Sequence, residues 1–219
     1  MKDYKGKNFI ASYSGGKDST LAIYRAITHG MIPLEFFTTY NTDRDQSWFH
    51  GIPKKILEKV SNEMGVKITL LKTDGEHYND NFESKLKEAR KQGANTCVFG
   101  DIDLDEHLKW CTDRCEATGI KACFPLWHES RKSLVYEFID SGFEAIITVV
   151  DTSRLPEKFA GKILTKQVAK EIENFNADIC GENGEYHTFV FNGPLFKSPI
   201  KFQTGEIIKH GQYAVIPLR

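Results

Sequence analysis

Five short apolar runs, alternating with five helical stretches that each end in a glycine, constrain this chain more than any other feature. The runs are NFIASY (8–13), PLEFFTTY (33–40), VKITLL (66–71), NTCVFG (95–100) and EAIITVV (144–150). They are almost continuously apolar, as parallel strands covered on both faces are. Helical spacing fills 17–29, 51–64, 79–92, 103–118 and 130–141. Gly30, Gly65, Gly93, Gly119 and Gly142 stand just beyond those stretches, where a left-handed residue closes a helix. The alternation predicts an α/β fold, a doubly wound Rossmann-like layer with a parallel sheet.

The rhythm changes after residue 150. A turn-like DTSRLP (151–156) leads to a helix near 165–174, then to short β runs in ADICG, EYHTFVFNG, SPIKFQ and QYAVIPL. The expected organisation is therefore one domain over 1–150 and a smaller α+β domain over 151–219. A chain of 219 residues suits that division.

Charge and cysteines narrow the setting. A formal net charge of -1 gives no electrostatic footprint for a nucleic acid or an anionic membrane. No apolar stretch approaches the roughly 18 residues of a membrane span. MKDYKGKNFIASYS has basic residues but no apolar h-region, so no secretory signal is expected. Five cysteines, an odd number in a chain able to build a core, read as reduced thiols in the cytoplasm.

The joint after the first strand reads Ser14-Gly15-Gly16-Lys17-Asp18-Ser19. Glycines there let backbone approach a ligand, and the first amides of a helix carry partial positive charge. Hydroxyls on Ser14 and Ser19 add donors, so the joint reads as an anion site for phosphate. It is too short for GxxxxGK[ST] and is not GxGxxG. The plainer alternative is a tight turn with a capped helix start. Ligands of such sheets collect beyond the carboxyl ends of the strands, which favours the phosphate reading.

SGGKDS resembles the PP-loop of the ATP pyrophosphatases, which cut ATP between the α- and β-phosphates. DQSWFHGIP (45–53), VFGDI (98–102), PLW (125–127), LPEKFAGKIL (155–164) and CGENGEYHTFVFNGPLF (180–196) narrow the likeness. Together they resemble the diphthine–ammonia ligase family, nearly end to end. The resemblance implies adenylation of a carboxylate with loss of pyrophosphate, then attack by ammonia to give an amide and AMP. It implies ATP and Mg2+ as cofactors, with Ser14, Gly15, Gly16 and Ser19 cradling pyrophosphate and Lys17 countering its charge. Asp18 would order the loop or hold Mg2+. The adenine would lie near Thr38 to Asn41, with Thr39 and Asn41 as contacts, and near Phe99-Gly100-Asp101. The implied acceptor is diphthine, a modified histidine on a translation elongation factor. A homodimer is compatible with this reading.

The loop at 180–188, Cys-Gly-Glu-Asn-Gly-Glu-Tyr-His-Thr, gathers two carboxylates, an imidazole, a phenol and a hydroxyl. Glu182, Glu185 and His187 are candidates for binding an amine or moving protons. Asn183, Tyr186 and Thr188 join them as candidate substrate contacts, with His50 from the loop after the second strand. The plainer alternative is a solvated turn entering a strand. Two features depart from the family pattern, which is close to EGGEYET. Asn183 and His187 replace a glycine and an acid, and GDIDLDEHLKW is unusually acidic. Both bear on the acceptor and leave the nucleotide half intact.

Cys111 and Cys115 share a helical face, with Cys123 nearby, and some PP-loop enzymes thiolate tRNA through such residues. No CxxC is present, and buried helix thiols are the commoner state. His107 with Trp110 reads as helix surface. Trp48, Trp110 and Trp127 read as packing, Trp127 also as a candidate pocket wall. Three functions therefore stand side by side: an amide ligase, a tRNA-thiolating enzyme, and a nucleotide-binding regulator with little turnover.

Overall fold

The computed structural model of the chain describes residues 4–41, 45–47, 50–73 and 76–219. Its strands, in chain order, are β1 (Asn8–Ser12), β2 (Ile32–Asn41), β3 (Gln46–Ser47), β4 (Ile68–Lys72), β5 (Thr96–Val98), β6 (Lys121–Cys123), β7 (Glu144–Asp151), β8 (Tyr186–Asn192), β9 (Ile208–His210) and β10 (Tyr213–Val215). The helices are α1 (Lys17–Thr28), α2 (Lys54–Met64), α3 (Tyr78–Lys91), α4 (Asp105–Thr118), α5 (Arg131–Asp140) and α6 (Lys166–Glu173). Two compact units are present. The first comprises Met1–Ser14, Asp18–Trp48 and Gly65–His128; the second comprises Gly15–Lys17, Phe49–Met64 and Glu129–Arg219.

The first unit holds a parallel sheet in the spatial order β4-β2-β1-β5-β6, with β3 antiparallel on the end of β2. Counting only the parallel strands, the chain winds outward one way from β1 and then the other. That is the doubly wound order, and its switch point lies between β1 and β5. The glycines Gly30, Gly65, Gly93, Gly119 and Gly142 all have positive φ, from 67° to 98°. Gly119, at φ 71°, closes α4 as the sequence predicts.

One side of this sheet is covered by Phe82, Leu86 and Ala89 of α3 and by Cys111 and Cys115 of α4, packed on Ile10, Phe37, Cys97 and Phe99. Phe82 meets Phe37 edge-on at 5.0 Å and Trp110 at 4.8 Å. Trp110 is thus packing rather than surface, with its Nε1 donating to Asn79 Oδ1 at 3.1 Å. Each fully buried side chain of this size contributes about 1.5–3 kcal/mol. Glu35 of β2 and Lys85 of α3 pair inside the unit at 2.7 Å, both nearly without solvent. Burial pushes the Glu35 carboxyl up, but hydrogen bonds from Lys85, Thr69 and Lys67 outweigh it and leave it below the usual range.

The second unit is built on an antiparallel sheet in the order β8-β7-β10-β9. Here the structure differs from expectation. EAIITVV, read as another parallel strand, is β7, sandwiched between β8 and β10. Burial on both faces removes the period-2 signal that marks an antiparallel strand. ADICG is a turn, not a strand, and SPIKFQ forms no strand. Helices α5 and α6 belong to this unit; Thr165 caps α6 by accepting from Val168 N at 3.2 Å, and Lys132 pairs with Glu173 at 2.8 Å. Among the described residues no helix is long and apolar enough to cross a membrane.

Candidate functional site

The turn at the end of β1 is fixed from both flanks. In the first unit, Tyr13 donates its amide to Phe37 O at 2.8 Å, and Thr38 Oγ1 donates to Tyr13 O at 2.6 Å. Ser14 N donates to Ser19 Oγ at 3.3 Å, while the two hydroxyls lie 3.0 Å apart. The loop is therefore closed on itself across α1's first turn. Gly100, at the end of β5, completes this corner. A Cβ there would sit 2.6 Å from Ser19 N and 2.8 Å from the carbonyl carbon of Asp18. Only glycine admits that backbone approach at the switch point. Asp101 follows and lies 3.2 Å from His107 Nδ1. Thr39 and Asn41, both half-buried, stand on the same carboxyl edge at the end of β2, and Thr39 hydrogen-bonds the Tyr78 hydroxyl.

Gly15, Gly16 and Lys17 pack within the second unit. Gly15 has φ +83°, and a Cβ on it would lie 2.3 Å from Ile52 Cδ1. Its carbonyl accepts from Val190 N at 2.9 Å. The Lys17 amide donates to Thr188 Oγ1 at 3.1 Å, and its ammonium lies 5.6 Å from the Tyr186 ring. His50 Nδ1 is 2.8 Å from Thr188 O, and its ring centroid is 5.0 Å from that of His187. Burial first, then the His187 and Lys17 charges, lower the His50 pKa to about 3, against the opposing carbonyl bond. Lys17, His50, Tyr186, His187 and Thr188 thus form one group.

Glu182, Asn183 and Glu185 form another. Glu185 is buried, and its carboxylate accepts from Asn183 N at 3.1 Å, Asn183 Nδ2 at 3.3 Å, Asp178 N at 3.4 Å and Arg154 at 3.3 Å. Asp178, absent from the sequence-based candidates, takes the amides of Cys180 and Glu182 at 3.0 Å each and pairs with Arg131 at 2.7 Å. An aspartate two residues before a turn amide is the signal that could have found it. Tyr186 donates its hydroxyl to Ile179 O at 2.6 Å. These bonds make 178–186 a braced turn, with Arg131 also reaching Asn183 Oδ1 at 3.2 Å.

Other candidates fall elsewhere. All five cysteines are buried thiols. Burial raises Cys111 and Cys97, and raises Cys123 to about 11, so none of these three offers a ready thiolate. Trp127 is half-buried against Phe124 and His128 at 5.8 and 4.8 Å. Trp48 lies outside the described residues. A cavity of about 530 Å³ opens at the opposite, amino edge of the parallel sheet, lined by Lys7, Arg90 and Lys121. Arg90 there donates to Thr118 O at 3.0 Å, at the carboxyl end of α4. Cations at helix carboxyl ends answer the helix dipoles, which accounts for Arg90, itself in the last turn of α3. No cluster of three or more His, Cys, Asp or Glu able to hold a metal is found among the described residues.

Comparison with known proteins resolves the family. The diphthamide synthase N-terminal domain matches residues 7–122, and the diphthamide synthase C-terminal domain matches residues 130–218. The chain belongs to the diphthamide synthase family. The diphthine–ammonia ligase of Danio rerio is 24% identical over 233 residues, covering 95% of this chain and 91% of the relative. Those of Bos taurus and Rattus norvegicus are 28% and 30% identical over 151 and 149 residues. Those alignments cover 67% and 66% of this chain, which spans 57% and 56% of the two mammalian proteins. A solved structure from Methanocaldococcus jannaschii, titled as a predicted subunit of tRNA methyltransferase, aligns at TM-score 0.47 and 16% identity. That alignment covers 86% of this chain and 98% of the other.

Proposed function

We propose that the chain is an ATP-dependent, AMP-forming carboxylate–ammonia ligase acting in the cytoplasm, with diphthine on a translation elongation factor as its acceptor. One observation carries the reading: a glycine loop at the switch point of a doubly wound sheet, with Gly100 packed on the first turn of α1, in a chain of this family. In the first step a carboxylate oxygen attacks the α-phosphorus of ATP. The bond to the β-phosphate oxygen breaks, and pyrophosphate leaves. In the second step ammonia attacks the acyl carbon of the adenylate, AMP departs, and one proton is released.

Ser14, Gly15, Gly16 and Ser19 receive the departing pyrophosphate, and the Lys17 ammonium offsets its charge. Thr39, Asn41, Gly100 and Asp101 are assigned to the nucleoside half. Mg2+ suits this arrangement as the nucleotide's companion. It commonly takes one or two carboxylates together with substrate phosphates, and Asp18 supplies a carboxylate at the loop. His50, Tyr186, His187 and Thr188 are assigned to the acceptor and the amine, with Glu182 and Asn183. Glu185, its oxygens committed to the turn, acts by holding that turn in shape. Buried thiols suit a reducing compartment and argue against sulfur transfer.

The test follows labelled ATP with Mg2+, ammonium and a diphthine-bearing elongation factor. AMP and pyrophosphate are expected, with Asp18→Ala losing turnover at least about a hundredfold through lost positioning of the phosphates. Release of ADP, or an unimpaired Asp18→Ala enzyme, would overturn the reading.

A further inference from the structure

Thr188 makes two bonds with two different parts of itself. Its Oγ1 accepts the Lys17 amide at 3.1 Å, and its carbonyl oxygen lies 2.8 Å from His50 Nδ1. Two residues on, Val190 N donates to the Gly15 carbonyl at 2.9 Å. One strand, β8, therefore holds the glycine turn on either side of Gly16. It does so from a rigid position, because β8 is paired along its length with β7.

The second bond fixes chemistry as well as place. A carbonyl oxygen only accepts, so His50 must carry a proton on Nδ1, and its lone pair is then on Nε2. No other hydrogen bond of His50 is found among the described residues. The ring thus offers an acceptor, next to the His187 ring and in the same group as the Lys17 ammonium.

We propose that Thr188 is the positioning residue of this loop, taking up the Lys17 amide so that the glycine turn keeps its shape for the polyphosphate, and setting the His50 ring as acceptor for an N–H or O–H donor of the substrate. The proposal rests on the nucleotide reading above, but half of its test does not. A buried amide that loses its partner is costly to keep in place, so removing Oγ1 releases the turn at Lys17.

Thr188→Val keeps the shape and the carbonyl and removes only the hydroxyl; Thr188→Ser keeps the hydroxyl. Amide exchange at Lys17, followed by NMR without nucleotide, is expected to accelerate at least about tenfold in the valine variant and to stay near wild type in the serine variant. Calorimetric titration with Mg2+ and α,β-methylene-ATP is expected to show affinity weakened at least about tenfold in the valine variant and recovered in the serine one. Imidazole 15N shifts are expected to report the Nδ1–H form of His50 in all three proteins, showing that β8 is still in place. Wild-type exchange and affinity in the valine variant would overturn the proposal, as would a serine variant that behaves like valine. A wild-type protein that binds no nucleotide would sink the ligase reading, while the exchange rates would still decide the role of Thr188.

Discussion

His50, half-buried, can be charged in the folded protein only at a cost, because desolvation and then the neighbouring His187 and Lys17 charges oppose it. Its pKa falls from 6.5 to about 3, so the sign of the pH effect follows directly. Above about pH 6.5 the ring is neutral folded and unfolded, and it contributes no pH dependence. As the pH drops from there towards 3, the unfolded chain binds a proton that the folded chain refuses. Stability should then fall by up to about 1.4 kcal/mol per pH unit, levelling below pH 3. His50→Gln should flatten that segment of the curve, measured as urea-unfolding free energy between pH 4 and 8. An identical slope in the variant would show that His50 is not the responsible group. At this scale the sequence was generous with the loop and sparing with its support. SGGKDS and GENGEYHT are local patterns, and both mark functional candidates. The braces Asp178, Arg131 and Arg154 meet them only through folding, over separations that no local pattern records. Glu185 shows the same limit: an acid in a glycine-rich loop looks chemically available until its four donors are seen.

Four of the five parallel strands, β1, β2, β4 and β5, are legible as short apolar runs; β6, three residues long with only Cys123 buried, leaves no such run. The same signal misleads at β7, which is buried at successive positions although it pairs antiparallel with β8 and β10. Composition within one strand cannot tell which way its neighbours run; only pairing does. Helix ends were easier, because a left-handed glycine is a stereochemical requirement and not a statistical preference. The carboxyl end of β5 carries a sharper requirement. Gly100→Ala would place a methyl against the backbone of Asp18 and Ser19 at 2.6 to 2.8 Å, and backbone cannot swing aside as a side chain can. Either the β5 end or α1's first turn must move. The expected cost is about 1–3 kcal/mol of stability, as for other overpacked sites, seen as a lowered thermal midpoint. Nucleotide affinity should fall as well, because the displaced turn carries Asp18 and Ser19. An alanine variant with unchanged midpoint and affinity would show that the corner yields without consequence.

At the scale of the whole molecule, the two compact units do not follow the order of the chain. The chain passes between them five times, lending Gly15–Lys17 and Phe49–Met64 to the second unit before completing the first. The matched family domains end and begin at residues 122 and 130, which invites a cut near His128. That cut would strand the lent segments. Ile52, Ile56, Leu57 and Val60 are all at most 1% exposed. The backbone carbonyl of Glu63 accepts from Lys197 N at 3.0 Å, and Lys59 donates to Lys201 O at 2.9 Å. Gly15 loses its bond to Val190, and Lys17 its bond to Thr188. Four such apolar side chains represent about 6–12 kcal/mol of burial, comparable with the whole stability of an ordinary domain. The fragment 1–128 is therefore expected to lack a cooperative thermal transition and to give a poorly dispersed amide spectrum, while the full chain melts cooperatively. A fragment that melts sharply with native-like dispersion would mean that the first unit stands without its exchanged segments. Restoring 129–219 as a separate polypeptide should then rebuild the contacts of α2 and of the glycine turn, because those contacts, and not chain continuity at residue 128, are what the cut removes.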